Sequence, residues 1–95
     1  AKLGNANLTG ADLRHSDLKN ADLRRAILTD SHLQGSDLYG VDLESASLNG
    51  ANLDGAEMAS ATLTDANLSG ASLRSVDLHY SDLRCRLDGL RLDRR

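Results

Sequence analysis

"ADLRHSDLKNADLRR", residues 11 to 25, is one five-letter phrase repeated three times: a small residue, Asp, Leu, then two variable positions. Stepping by five from Leu3 lands on Leu8, Leu13, Leu18, Leu23, Leu28, Leu33, Leu38, Leu43, Leu48, Leu53, Met58, Leu63, Leu68, Leu73, Leu78 and Leu83. These are seventeen centres, and sixteen of them are Leu. Two residues before each centre stands Ala, Ser or Val, from Ala1 through Ser16 and Val41 to Ser81. A fixed period of this kind has to be read before any secondary structure is assigned.

A period of five suits neither regular element. On an α-helix five residues advance about 500°, so the leucines would spiral around the axis instead of forming a stripe. In a continuous strand an odd period would send successive leucines to opposite faces. Within one repeat, however, the small residue and the Leu are two apart and share a side of a short extended segment. The remaining residues must turn the chain so that the next small-x-Leu trio also points inward. Corner positions carry Gly10, Gly35, Gly40, Gly50, Gly55 and Gly70, with Asn20, Asp30, Ser45, Ser60, Asp65 and Ser75 elsewhere, as turns prefer. Proline is absent, which suits a backbone that must donate hydrogen bonds to neighbouring coils. The pattern predicts a solenoid wound around a leucine axis.

Composition agrees. The 95 residues contain no Phe or Trp and only Tyr39 and Tyr80 as aromatics, so the interior must be built almost wholly from Leu and Ala. No apolar run approaches the roughly 18 residues of a membrane span, and no basic-then-apolar leader opens the sequence. No membrane association is expected. Cys85, the single cysteine, can neither form an internal disulfide nor hold a metal alone, which leaves the compartment open with a lean to the cytoplasm.

The units "ADLRH", "SDLKN", "ANLDG" and "ANLSG" resemble the pentapeptide-repeat proteins, and the likeness covers residues 1–85 without a gap. That resemblance implies an all-β fold: a right-handed quadrilateral β-helix with four pentapeptides per coil, hence about four coils. After Leu83 the register changes, and residues 86–95 are expected to form a C-terminal cap or a distorted last coil. Two readings stand there. "CRLDG" and "LRLDR" continue the repeat on Leu87 and Leu92, whereas Leu83, Leu87 and Leu90 fall at helical spacing and suit a short helix. The repeat is already running at Ala1, as in a fragment or an end covered by a partner, and end-to-end homo-oligomers are open to such a coil.

Four repeats per coil sort the outward residues onto four faces. One stacks Asp17, Asp37, Glu57 and Asp77; another, built from Asn7, Ile27, Ser47 and Asn67 with Thr9, Thr29, Asn49 and Ser69, has no charge. The net charge of −3 conceals a sharper distribution. Between Arg25 and Arg74 there is no Lys or Arg, and Asp30, Asp37, Asp42, Glu44, Asp54, Glu57 and Asp65 make that stretch −7. The candidate interaction face is therefore acidic: Asp17, Asp37, Asp42, Glu44, Glu57 and Asp77. The bland reading is that Asp before Leu simply accepts local backbone hydrogen bonds.

Catalysis has little support, because His15, His32 and His79 fall on two faces and no nucleophile–base grouping, phosphate loop or zinc spacing appears. No catalytic, cofactor-binding or metal residues are assigned, and no cofactor is expected. Three readings remain. The default is a structural or protein-interaction module with a protein partner. The alternative, implied by the family, is DNA mimicry directed at DNA gyrase or topoisomerase through the acidic face. The third is recognition of ordered water or ice by the neutral face. Direct nucleic-acid binding is disfavoured by the acidic band.

Overall fold

The computed structural model describes residues 2–92. Parallel bridges join each outward residue to the one 20 positions later: Lys2 to Asp22, Asn7 to Ile27, Asp12 to His32, Asp17 to Asp37, and onward to Thr62 with Asp82. The chain thus lies over itself every 20 residues, and four five-residue units form the four sides of each turn. Each bridge is a pair of bonds. In a typical case Leu33 N–H donates to the Asn52 carbonyl at 2.8 Å, and Asn52 N–H donates to the Ser31 carbonyl at 3.0 Å.

The corners repeat as strictly as the sides. From Ala6 to Ala71 the N–H of each new small residue returns to the preceding centre's carbonyl, as from Ser36 to Leu33 at 3.1 Å. Every fifth residue from Asn5 to Tyr80 has a positive φ, between +57° and +72°, the value required at the third position of a type II turn. Ten of these are not glycine, and Arg25 and Tyr80 are among them. The left-handed conformation costs an L-residue roughly 1–2 kcal/mol. It is held here because the corner amides also join the stack, as where Asn20 N–H donates to the Tyr39 carbonyl at 2.8 Å.

Inside, every centre from Leu23 to Leu68 is at most 1% exposed, Met58 included, and the small residues from Ala21 to Ala71 are at most 2% exposed. Only a small group fits beside a Leu at each enclosed level, which is why no large residue enters that column from Ala6 to Ser81. Leu18 and Leu73 are also buried. Leu3, Leu8, Leu13 and Leu78 are half-buried and Leu83 is 42% exposed, because a coil at either end of the described stack is covered from one side only.

The C-terminal segment settles into coil, and the helical alternative is corrected. Beyond the four-residue unit Ser81–Arg84 the bridges run Asn67 to Arg86 and Ser72 to Arg91, an offset of 19. At the shortened corner Cys85 N–H donates to the Leu83 carbonyl at 2.8 Å, a tighter turn that absorbs the missing residue. Cys85 and Leu90 take the small-residue place, Gly89 makes the next corner at φ +68°, and Leu87 and Leu92 stay 40% and 54% exposed. The ladder outcompetes the helix because it satisfies the coil beneath: Leu68 N–H donates to Arg86 at 2.8 Å and Leu73 N–H to Arg91 at 2.7 Å. A helix would leave those backbone groups unpaired over the core. The end of the proposed cap, residues 93–95, lies outside the described residues.

Candidate interaction faces

Where the residue before Leu is Asp or Asn, its side chain is fixed by the backbone two residues on. Asp37 Oδ1 accepts the Tyr39 N–H at 3.1 Å, Asp17 that of Lys19 at 3.2 Å, Asp42 that of Glu44 at 3.1 Å and Asp77 that of His79 at 3.0 Å. Asn52 and Asn67 do the same for Asp54 and Ser69, both at 3.0 Å. Asp and Asn therefore recur because a short acceptor can close this loop over the start of the turn. In each aspartate one carboxylate oxygen is occupied in this way; the other oxygen of Asp37 and of Asp42 faces a cation of the coil below.

Bridges stack Asp17, Asp37, Glu57 and Asp77 in one row. Lys19 reaches up to Asp37 at 3.6 Å and offsets part of the repulsion. Glu57 is exposed, with no side-chain partner among the described residues. The His79 ring hydrogen-bonds Asp77 and holds that carboxyl below its ordinary value. Both tyrosines border this row: Tyr39 is 48% exposed, and Tyr80, at the corner beside His79, is 92% exposed.

Asp42 lies around the corner, in the row Lys2, Asp22, Asp42, Thr62 and Asp82, with Glu44 beside it on the other side of Leu43. Arginine controls this face. Arg24 grips Asp22 at 2.9 Å and leans toward Asp42 at 3.8 Å, and its guanidinium hydrogen bonds lower the Asp22 carboxyl to about 2. Arg84 holds Asp82 at 2.7 Å and Thr64 Oγ1 donates to the same carboxylate at 2.8 Å, so Asp82 is also held well below the usual range. Arg14 grips Asp12 in the same way on the third face. Sequence reading missed these clamps, although the signal was present: in "ADLRH", "ADLRR" and "SDLRC" an Arg follows Asp by two. The third face also turns Asp54 Oδ1 toward the Ser72 hydroxyl and the Arg74 N–H.

The fourth face carries Asn7, Ile27, Ser47 and Asn67 in one row. Its hydroxyls and amides bond to one another: Thr9 Oγ1 donates to Asn7 at 2.7 Å and Thr29 Oγ1 to Asn49 at 3.0 Å. Surface depressions are shallow and open, one along Ser75–His79 and one between Asp65, Ala66 and Arg84–Arg86. Among the described residues no three His, Cys, Asp or Glu side chains converge as a metal site would need.

Comparison with known proteins agrees with this geometry. The family model for pentapeptide repeats matches in eight copies, over residues 1–30, 26–65, 36–74 and 51–84. A pentapeptide repeat protein from the thylakoid lumen of Arabidopsis thaliana superposes with a TM-score of 0.83 at 28% identity, covering 94% of this chain and 59% of that one. The pentapeptide repeat protein Rfr23 of the cyanobacterium Cyanothece 51142 gives 0.65 at 35% identity, covering 98% of this chain and 57% of its own. HetL of the cyanobacterium Nostoc sp. PCC 7120, a pentapeptide repeat protein involved in heterocyst differentiation regulation, gives 0.55 at 28% identity, with 95% and 63% covered. The chain thus spans somewhat over half the length of these solved relatives. No curated protein matches it. On the repeat, its four-sided winding and the matched family model together, the chain belongs to the pentapeptide repeat family.

Proposed function

We propose that the chain is a non-enzymatic protein-interaction module: a right-handed quadrilateral β-helix of about four coils that offers rigid faces to a protein partner. The observation that carries this reading is the row Asp17, Asp37, Glu57 and Asp77 flanked by Tyr39 and Tyr80. Exposed tyrosines beside oriented carboxylates match the chemistry of a basic partner, since Tyr contributes large, rigid contact area and stacks with Arg. The regulatory role named for HetL suits a module of this class. The test is affinity capture from cells with the parent and with a Glu57→Lys/Tyr39→Ala variant. Proteins retained by the parent and lost with the variant support the reading; identical sets with both overturn it.

A second reading, DNA mimicry, is favoured by charge density. Seven carboxylates lie between Arg25 and Arg74. That stretch is about 2.4 turns, or roughly 12 Å at a strand spacing of about 4.8 Å. This is one charge per about 1.7 Å, the axial density of duplex DNA. Against it, Lys19 and Arg24 from the coil below offset Asp37 and Asp42. A gyrase supercoiling titration separates the two readings. Inhibition that disappears with Asp37→Asn/Glu57→Asn favours mimicry, and none at high micromolar protein leaves the interaction module.

A further inference from the structure

The fourth face differs from the other three in charge. Each of the other three faces carries charge in its stacked rows, and pressing two such faces together would oppose like charges. The rows Asn7–Ile27–Ser47–Asn67 and Thr9–Thr29–Asn49–Ser69 contain none. The nearest charges are at the corners, where Asp30 lies beneath Gly50 and where Arg25 and Asp65 precede Ala26 and Ala66.

We propose that this face forms an antiparallel, two-fold homodimer. A two-fold axis lying in the interface along the strands keeps each row opposite itself and reverses its order. Ile27, 40% exposed and the one large apolar group in these rows, then meets Ser47 of the second copy, a small residue. Asn7 meets Asn67 of the second copy, amide to amide. In the other row Thr9 meets Ser69, hydroxyl to hydroxyl, and Thr29 meets Asn49, the hydroxyl-to-amide pairing that these two residues already make within one chain at 3.0 Å. The order of sizes is its own complement only when reversed: a parallel arrangement would set one row against the other, with Ile27 against Thr29. The corner groups obey the same rule, with Asp30 opposite Gly50 and Arg25 opposite Ser45 of the second copy. Arg86, which continues the row at an offset of 19, lies beyond the overlap.

One side of a four-repeat stack is smaller than the roughly 800 Å² per partner of a standard interface, so the dimer belongs to the weak, exchanging class. Sedimentation equilibrium of the 95-residue chain from about 10 μM to about 1 mM tests it. The expected result is a concentration-dependent monomer–dimer equilibrium, weakened at least tenfold by Ile27→Glu. The control Thr62→Glu, on a charged face, leaves it unchanged. Circular dichroism and melting of each variant establish that it is folded, and if Ile27→Glu fails to fold, Ser47→Lys replaces it on the same face. A folded chain that stays monomeric to 1 mM overturns the proposal, as does a dimer indifferent to both neutral-face substitutions. Ice shaping by a strictly monomeric protein would assign the face to ordered water instead.

Discussion

At Gly40 the backbone turns with φ +67° directly above Asn20, whose side-chain oxygen occupies the space a Cβ would need. The same relation joins Asp30 to Gly50, and His15 to Gly35, where the ring stands 2.6 Å from the place of a Cβ. At these three corners the side chain of one coil fills the space that a Cβ in the next would need, and the residue there is glycine. Gly40→Ala should cost about 1–2 kcal/mol for the left-handed backbone alone, plus the collision with Asn20. Adding Asn20→Gly should recover the collision part, and denaturant melts of the four proteins in a double-mutant cycle would measure it. The Arg–Asp clamps give a second expectation. Asp22 titrates at about 2 when folded, below its ordinary value of 3.8. The sign follows: the clamp's contribution is complete above about pH 4 and is lost as pH falls through about 2. The melting temperature should decline across that window by a modest amount, because the pairs are exposed and screened. Asp22→Asn should flatten the decline, and an acid profile identical to the parent's would contradict the clamp. The corner glycines were legible in the sequence, but non-glycine corners such as Arg25 and Tyr80 were not, because their φ belongs to the repeating turn, at Arg25 with its N–H donating to the Glu44 carbonyl at 2.9 Å, and not to their own preference.

The element of this fold is the five-residue side with its corner, and its two requirements separate cleanly. Facing inward, Leu53 is fully buried between the coils above and below. Leu53→Asp would place an unpaired charge there and should abolish cooperative unfolding, at a cost above about 4 kcal/mol. A melting temperature within a few degrees of the parent's would contradict an inward ladder. Facing outward, Asp37 and Glu57 sit one above the other, and two carboxylates about 5 Å apart in water repel by roughly 0.8 kcal/mol. Asp37→Asn keeps the Oδ1 that accepts the Tyr39 N–H, so Asp37→Asn/Glu57→Asn should leave the fold intact and raise the melting temperature slightly. A fall of several degrees would show that the charge itself supports the structure, for instance through Lys19. The shortened element Ser81–Arg84 marks where sequence reasoning divided. Leucine spacing there fits helix and coil equally, and only the unpaired backbone of the coil beneath decides between them. That information lies 19 residues away in the chain, outside any local window.

At the scale of the molecule, the functional readings rest on which residues share a face. The period of five is written in every repeat, but the number of sides is not: a five-residue unit can close with different corners, and the four-sided winding comes from the bridges at 20 residues. Once that number is known, the acidic row, the neutral rows and the clamps follow by counting. What counting cannot supply is how far each charge is compensated from the coil below, as Arg24 does for Asp42 and Lys19 for Asp37. The most direct test is a NOESY spectrum of the labelled chain, read for backbone contacts between stacked residues. We predict a ladder of contacts at an offset of 20, from Asn7–Ile27 to Thr62–Asp82, changing to 19 for Asn67–Arg86 and Ser72–Arg91. Contacts at another offset, or helical contacts between residues three apart through Leu83–Leu90, would contradict the four-sided coil and every face assigned from it.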